Sequence, residues 1–356
     1  IGRLEEIMLA ARMYDRHDIR LEQIDRPSIG ENELLVQVKC VGICGTDLRM
    51  IRNGAPGISE SSPRILGHEF SGVIAEVGAR VKHYRKGMRV GIAPNMGCGV
   101  CRFCIAGDQH LCENYRAIGI HMDGAMAEYV VIPERAVTSG NVMVLPDHVT
   151  FEEAAINEPL SCVYNGLTRC PVKPGDNVLI IGAGPIGMMQ ALFARLAGAA
   201  KIMIANRSPA RLELCKKIDG SLIPIESVNL REEVRRLTGG AGADVCIVAN
   251  SSPEAQSAAL ELTAVNGRVN FFGGLPEHLA DVSLNSNLIH YKQLLVTGTT
   301  KANNRHFAET LRFISEGLLD PKPLVSARFS IREVREAIAY AMAGSGLKTV
   351  ITFEDA

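Results

Sequence analysis

A chain of 356 residues, 47% of them apolar and 22% charged, holds enough material for two ordinary domains with sizeable cores and is neither disordered nor fibrous in composition. Its 38 basic and 39 acidic residues leave a formal net charge of −1, so no global field draws it to nucleic acid or to an anionic membrane. With no Trp, seven Tyr and ten Phe it also has little aromatic surface for stacking on bases.

The opening IGRLEEIML places Glu5 and Glu6 where a secretory leader would carry basic charge, so a cytoplasmic protein is expected. Up to about residue 150 the chain reads as β structure broken by turns, with partial alternation at 34–41 and 72–77. From Pro174 strands alternate with helices: strands at 178–181, 201–205, 243–249, 268–272 and 294–297, helices at 188–197, 231–237 and 255–262. That alternation predicts a parallel, doubly wound sheet. The most apolar stretch, 178–200, is interrupted by Pro185, Gln190 and Arg195 and reads as a buried strand–turn–helix, not a membrane span. Amphipathic helices are expected at 306–316 and 331–342, and a final strand at 349–353.

Three groups of residues carry chemistry. Cys98, Cys101, Cys104 and Cys112 put four of the ten cysteines within fifteen residues. Four soft thiolates can close a tetrahedron around zinc with no open position, the mark of a structural site. A ferredoxin-type run would have three residues before the last Cys and Pro after it; here the gap is seven and Glu113 follows. A reducing compartment disfavours disulfides. Nearby His110 has no place at a completed four-thiolate site and is expected to be a polar loop residue.

The second group is dispersed: Cys44-Gly-Thr46-Asp47, then Gly67-His68-Glu69, then Asn157-Glu158-Pro159. Together they offer one thiolate, one imidazole and two carboxylates, a set suited to a catalytic zinc with an open position for water or substrate. Asp47 is placed to hold the far nitrogen of His68. Because Glu158 precedes Pro159, it is expected in extended backbone at a helix start.

The third group is Gly182-Ala-Gly184-Pro185-Ile186-Gly187, which follows a strand and opens a helix. In that context it sets a pyrophosphate against a helix N-terminus. The acid that would bind the adenosine ribose is due at the end of the next strand. Nineteen residues beyond Gly187 the chain instead has Asn206, with Arg207 after it and Arg211 one turn on. Losing the carboxylate removes repulsion of a 2′-phosphate, and the two arginines can bind one or stand as solvated surface charges.

In this order and spacing, from GENELLVQVKCVGICGTD through GHEFSGVIAEVG and NEPLSC to VLIIGAGPIGMM and GSGLKTVI, the chain resembles the zinc-dependent medium-chain dehydrogenase/reductase family, and in NEPLSC its polyol (sorbitol or L-iditol 2-dehydrogenase) branch. The resemblance implies an α/β chain with a GroES-like β-rich catalytic domain over 1–155, carrying a zinc lobe near 94–115. A Rossmann domain over 156–299 and a segment, 300–356, returning to the catalytic domain complete it. It also implies a cleft between the domains and a homotetramer or homodimer. Two zinc ions per chain are expected, one on Cys98, Cys101, Cys104 and Cys112. The other would lie on Cys44 and His68, with Glu69 and Glu158 sharing the remaining ligation.

By the same resemblance Thr46 takes the substrate proton, Lys348 lies near the cofactor pyrophosphate, and Lys301 is a basic residue at the substrate cleft. Arg49 stands where many members have a relay His, so the proton leaves by another route. Asn206 in place of the common Asp favours NADP over NAD. The expected activity is hydride transfer between a nicotinamide cofactor and a secondary alcohol, a polyol or polyol phosphate. L-Threonine 3-dehydrogenase shares the zinc pattern and is the alternative. A zinc-ribbon interaction or nucleic-acid-binding protein would use the four cysteines but neither the glycine turn nor the dispersed group.

Overall fold

The structure, a computed structural model, describes residues 7–353, and Glu5 and Glu6 lie outside the described residues. The described chain forms two compact units. One holds everything up to Ser161 together with Ala302 onward, and the other holds Cys162–Lys301.

The first unit is built on a seven-stranded sheet. Along it run Val142–Val144, Arg89–Ile92, Glu69–Val77, Leu34–Gly42, Lys348–Thr352 and Val325–Ser330, with Tyr129–Ile132 also pairing onto Leu34–Gly42. Most neighbours are antiparallel, and the alternation of Leu34–Gly42 turns Val36, Val38 and other apolar side chains into a core shared with Phe70, Ile74, Val90, Ile92 and Met126. The strand Lys348–Thr352 joins this sheet from the far end of the chain, antiparallel to Leu34–Gly42 with Val350 opposite Gly42. Short strands Asn95–Met96 and Arg116–Ala117 frame the loop that carries the four cysteines.

The second unit is a six-stranded sheet, entirely parallel in its pairings, in the order Ile223–Glu226, Lys201–Asn206, Asn177–Ile181, Ala243–Val248, Thr263–Phe271, Leu295–Gly298. That is a doubly wound, Rossmann order, with the chain reversing direction across the sheet beside Asn177–Ile181. The strands are near-continuous apolar runs because both faces are covered, and Leu179, Met203, Cys246 and Val269 are fully buried. The stretch read from sequence as strand–turn–helix is Asn177–Ile181 followed by the helix Pro185–Leu196. Among the described residues no helix is long and apolar enough to cross a membrane.

Candidate active site

Four thiols gather in the first unit as their spacing predicted. The Sγ atoms of Cys98, Cys101, Cys104 and Cys112 all lie within 4.8 Å of one another. Cys101 Sγ is 3.5 Å from Cys104 Sγ and 3.7 Å from Cys112 Sγ. Ligands at ~2.3 Å from a tetrahedral zinc stand ~3.8 Å apart, so the set fits that ion. Backbone donors at Val100 and Cys101 pull the Cys98 thiol down to about 6, favouring the thiolate a metal needs, while burial pushes Cys104 up to about 12. Arg135 braces the loop from outside, donating to the carbonyls of Gly97, Met96 and, at 2.7 Å, Asn114.

His110, expected as a polar loop residue, lies in the short 3₁₀ turn Gln109–Leu111. It is 4% exposed, and its ring meets that of His306 edge-on at 6.2 Å. The sequence carried no sign of this because His306 lies almost two hundred residues further on.

The dispersed group also converges. Cys44 precedes the helix Gly45–Asn53, and its backbone N donates to Asp47 Oδ2 at 2.9 Å. His68 follows Gly67, whose φ of +95° and tight approach to Val41 and Met126 suit no other residue. Glu69 begins the strand Glu69–Val77, opposite Gly42, so the ladder itself carries Glu69 to the segment that leads into Cys44. Single ligand atoms of Cys44, His68 and Glu69 lie within 4.8 Å of one another. Asp47, fully buried, faces His68 Nδ1 at 3.4 Å, as the sequence suggested. Burial alone would push the His68 imidazole down, but the Asp47 carboxylate and Cys44 outweigh it and raise it. A field that draws a proton to His68 also draws a metal cation. Glu69 Oε1 is buried with no hydrogen-bond partner, as a group reserved for an ion would be. The donor set therefore fits zinc.

Glu158 stands apart from this trio. It lies inside the helix Phe151–Arg169, not in extended backbone at a helix start. The helix begins eight residues before Pro159, where Thr150 and Glu153 cap it reciprocally at 2.7–3.2 Å. Its buried face around Ala154, Ala155, Ile156 and Leu160 carries the helix through Pro159 despite the missing N–H. Glu158 is 7% exposed, and its charge bears on Lys348.

Lys348 was assigned to the cofactor pyrophosphate. Its ammonium is buried in the first unit, ion-paired to Glu69 Oε2 and donating to the Ile43 carbonyl at 3.0 Å. Burial opposes its charge, but Glu69, Cys44 and Glu158 hold its pKa up, so it is a cation within the Cys44 group. A lysine in the apolar run LKTVI was the available signal, since a charge in a buried strand needs a partner. Thr46 lies one residue into the helix after Cys44 and accepts from Arg49 Nη2 at 3.4 Å. Lys301 closes the second unit with φ +55°, half-buried, and burial lowers its pKa.

The second unit holds an open groove of about 1010 Å³ along the C-terminal ends of its strands, lined by Gly182, Gly184, Asn206, Arg207, Asn250, Ser252 and Glu254 among others. A side chain at Gly187 would run into the Gly182 carbonyl, so this third glycine lets the helix Pro185–Leu196 pack against the strand before it. Pro185 and Ile186 open that helix. Asn206 ends the strand Lys201–Asn206 and its Oδ1 accepts from Ser208 N at 3.0 Å, while Arg207 is exposed. Arg211 is partly buried in the first turn of the helix Pro209–Ile218 and is not among the groove-lining residues. The segment 249–255 was missed in the sequence. In a doubly wound sheet, residues just beyond strand C-termini line the crevice, and that rule would have found it.

Residues 30–146 match the family described as alcohol dehydrogenase GroES-like domain, and residues 185–316 match zinc-binding dehydrogenase. A sorbitol dehydrogenase of Bacillus subtilis strain 168 is 32% identical over 94% of this chain and 94% of its own. An L-threonine 3-dehydrogenase of Chelativorans sp. strain BNC1 is 34% identical over 93% and 94%. Among solved structures, a Sinorhizobium meliloti 1021 protein bound to NADP superposes with a TM-score of 0.87 at 29% identity, covering 97% of this chain and 99% of that one. An alcohol dehydrogenase of Escherichia coli CFT073 with NADH gives 0.88 at 27%, covering 98% and 100%. With both domains matched and full-length relatives above 30% identity, the chain belongs to the zinc-dependent medium-chain dehydrogenase/reductase family and is an NAD(P)-dependent alcohol dehydrogenase in reaction class.

Proposed function

We propose that the protein is a zinc-dependent polyol dehydrogenase that prefers NADP, reversibly converting a secondary alcohol to a ketone. The observation that carries this reading is the convergence of a half-buried Cys44 with the buried His68 and Glu69, with Asp47 behind them. One zinc would be held by that trio, with Glu158 as a further carboxylate, and a second by Cys98, Cys101, Cys104 and Cys112. When bound, zinc supplies a Lewis acid for a hydroxyl oxygen and the nicotinamide a hydride acceptor. Thr46 takes up the proton released by the substrate hydroxyl. Arg49 offers donors and no acceptor, so the proton passes to water. Lys348 occupies Glu69 Oε2 and leaves Oε1 for the ion, while Asp47 fixes the orientation of His68.

The cofactor preference rests on the end of the second Rossmann strand. Asn206 stands where a carboxylate would repel a 2′-phosphate and can bond a ribose hydroxyl, and the exposed Arg207, near enough to Glu254 to help the Ser252 hydroxyl lower its pKa, presents a planar cation to the groove. The expected preference is roughly tenfold in kcat/KM, about 1.4 kcal/mol.

The test is initial rates on hexitols, simple secondary alcohols and L-threonine, each with NADP and NAD. Oxidation of hexitols with NADP ahead is expected, and Asn206→Asp with Arg207→Leu should reverse the cofactor order. L-Threonine as the sole good substrate would move the protein to the second reading, which its 34% identity to an L-threonine 3-dehydrogenase favours. NAD ahead by tenfold would remove the 2′-phosphate role from Arg207.

A further inference from the structure

Some arginines in this protein are neutralised where they stand. Arg20 meets Asp18 and Glu60, Arg195 meets Asp219, Arg268 meets Asp176, and Arg328 meets Glu152, each at 2.6–2.9 Å. The helix Gly45–Asn53 carries no such pair among the described residues. It carries Arg49 and Arg52, both exposed, and one acid, Asp47, which is fully buried and committed to Cys44 N and His68. Neither arginine has an ion-pair partner among the described residues. Arg49 reaches back one turn, and its Nη2 donates to Thr46 Oγ1 at 3.4 Å. Thr46, Arg49 and Arg52 recur every three residues and so run along one side of the helix.

A guanidinium in contact with Thr46 offers donors and no acceptor, so it has no place for a relayed proton. Its remaining donors form a planar fork that suits the paired oxygens of a phosphate or carboxylate. From Thr46 to Arg49 is about 4.5 Å of helix rise, so an oxyanion on that fork would belong to a molecule whose hydroxyl, a few carbons away, lies at Thr46. We propose that the substrate is an anionic hydroxy compound, a polyol phosphate or a hydroxy carboxylate, whose oxyanion is bound by Arg49 with Arg52 adding charge. This deepens the dehydrogenase reading above and rests on it for the place of Thr46.

The experiment uses the zinc-loaded enzyme and matched pairs: a hexitol against its 6-phosphate, the same hexitol against the corresponding hexonate, and L-threoninol against L-threonine. The charged member of at least one pair should be favoured at least tenfold in kcat/KM, and the pair that shows it distinguishes phosphate from carboxylate. Arg49→Gln and Arg49→Met should cost that member roughly thirtyfold, mostly in KM, within the range for a charge-assisted contact, and its neutral counterpart less than threefold. Arg49→Lys should recover part of the loss. The dissociation constant for NADPH, followed by its fluorescence, should move less than twofold. Equal kcat/KM within every pair, or a preference that survives in both Arg49 variants, overturns the assignment and leaves the dehydrogenase reading intact. A tenfold weakening of NADPH binding also overturns it, since the guanidinium would then serve the cofactor. Oxidation of no member of any pair defeats the dehydrogenase reading and this inference together.

Discussion

The four-cysteine lobe and the Cys44 group draw on similar donors but are assembled in opposite ways. The lobe takes its thiols from fifteen consecutive residues, three of the four part-exposed, and backbone contacts to Val100 and Cys101 already stabilise the Cys98 thiolate. The Cys44 group needs the ladder that sets Gly42 opposite Glu69, the turn at Gly67, and a strand from the end of the chain that delivers Lys348. Its charged side chains are almost wholly buried: Asp47 is 0% exposed, Glu69 1%, His68 4% and Lys348 4%. A local site can be folded by its metal, whereas an assembled site exists only once the fold does and can spend its geometry on chemistry.

The sharpest way to break this comparison is to remove one ligand from each side. Cys44→Ser should lower kcat/KM by roughly a thousandfold or more, the loss of several kcal/mol of Lewis-acid stabilisation, with the melting temperature little changed. Cys101→Ser should do the reverse to the fold, giving a chain that melts early or fails to accumulate, because metal binding there is coupled to ordering the lobe. Metal analysis should find two zinc ions per chain before chelation, with the Cys44 ion released first and activity lost before structure. Near-normal turnover in Cys44→Ser, or an unaltered melting curve in Cys101→Ser, would contradict the division of labour.

A second test reads the buried charges directly. Lys348→Met leaves Glu69 without its cation in a site closed to water, and breaking a buried pair from one side typically costs about 3–5 kcal/mol. Adding Glu69→Gln should restore most of that, since the double variant buries neither charge of this pair. Chemical denaturation of the two single variants, the double variant and the parent closes the cycle. A cost below about 1 kcal/mol for Lys348→Met would mean that the pair is wetter than its burial indicates. No comparable pair supports the lobe, where Arg135 bonds carbonyls.

What could be read from the sequence divides along the same line. The four cysteines lie within fifteen residues, so spacing alone shows that their thiols can meet. The parallel sheet is legible because its strands are short apolar runs between helices, and the glycine turn because all three glycines lie within six residues. Cys44, His68 and Glu158 are more than a hundred residues apart from first to last; donor chemistry suggests the set, and the resemblance assigns the roles within it. Where the resemblance was silent, local rules misled. Pro159 suggested a helix start, yet the capping pair Thr150/Glu153 and a buried helix face outweigh one missing N–H. For Lys348 the resemblance names the cofactor pyrophosphate, and nothing near it in sequence shows the carboxylate it meets, 279 positions away.

The smallest expected effect concerns how the lobe is held from behind. His110 packs against His306, which follows Asn303 at the start of the helix Asn304–Ser315. Asn303 Nδ2 donates to Asp108 Oδ1 of the lobe at 3.4 Å, and His306 Nδ1 accepts from Asn303 N at the same distance. Burial, with His110 and Arg305 nearby, pulls His306 down to about 4, and the opposing charges of Glu309 and Asp108 do not restore it. A histidine buried neutral gives stability that is complete above its unfolded pKa of ~6.5 and is lost as pH falls from there towards the folded value. The unfolded chain binds the proton across that window while the folded chain does not, so stability must drop with falling pH, by at most about 1.4 kcal/mol per pH unit for one group. His306→Asn keeps an acceptor for Asn303 N and removes the titration. Its melting temperature should therefore fall less than the parent's between pH 7 and pH 5, the difference between the two curves isolating His306 from the eight other histidines. Parallel curves would mean that His306 is protonated in the fold as readily as in the unfolded chain. The wall behind the lobe would then be open to water, and the lobe would depend on its metal alone.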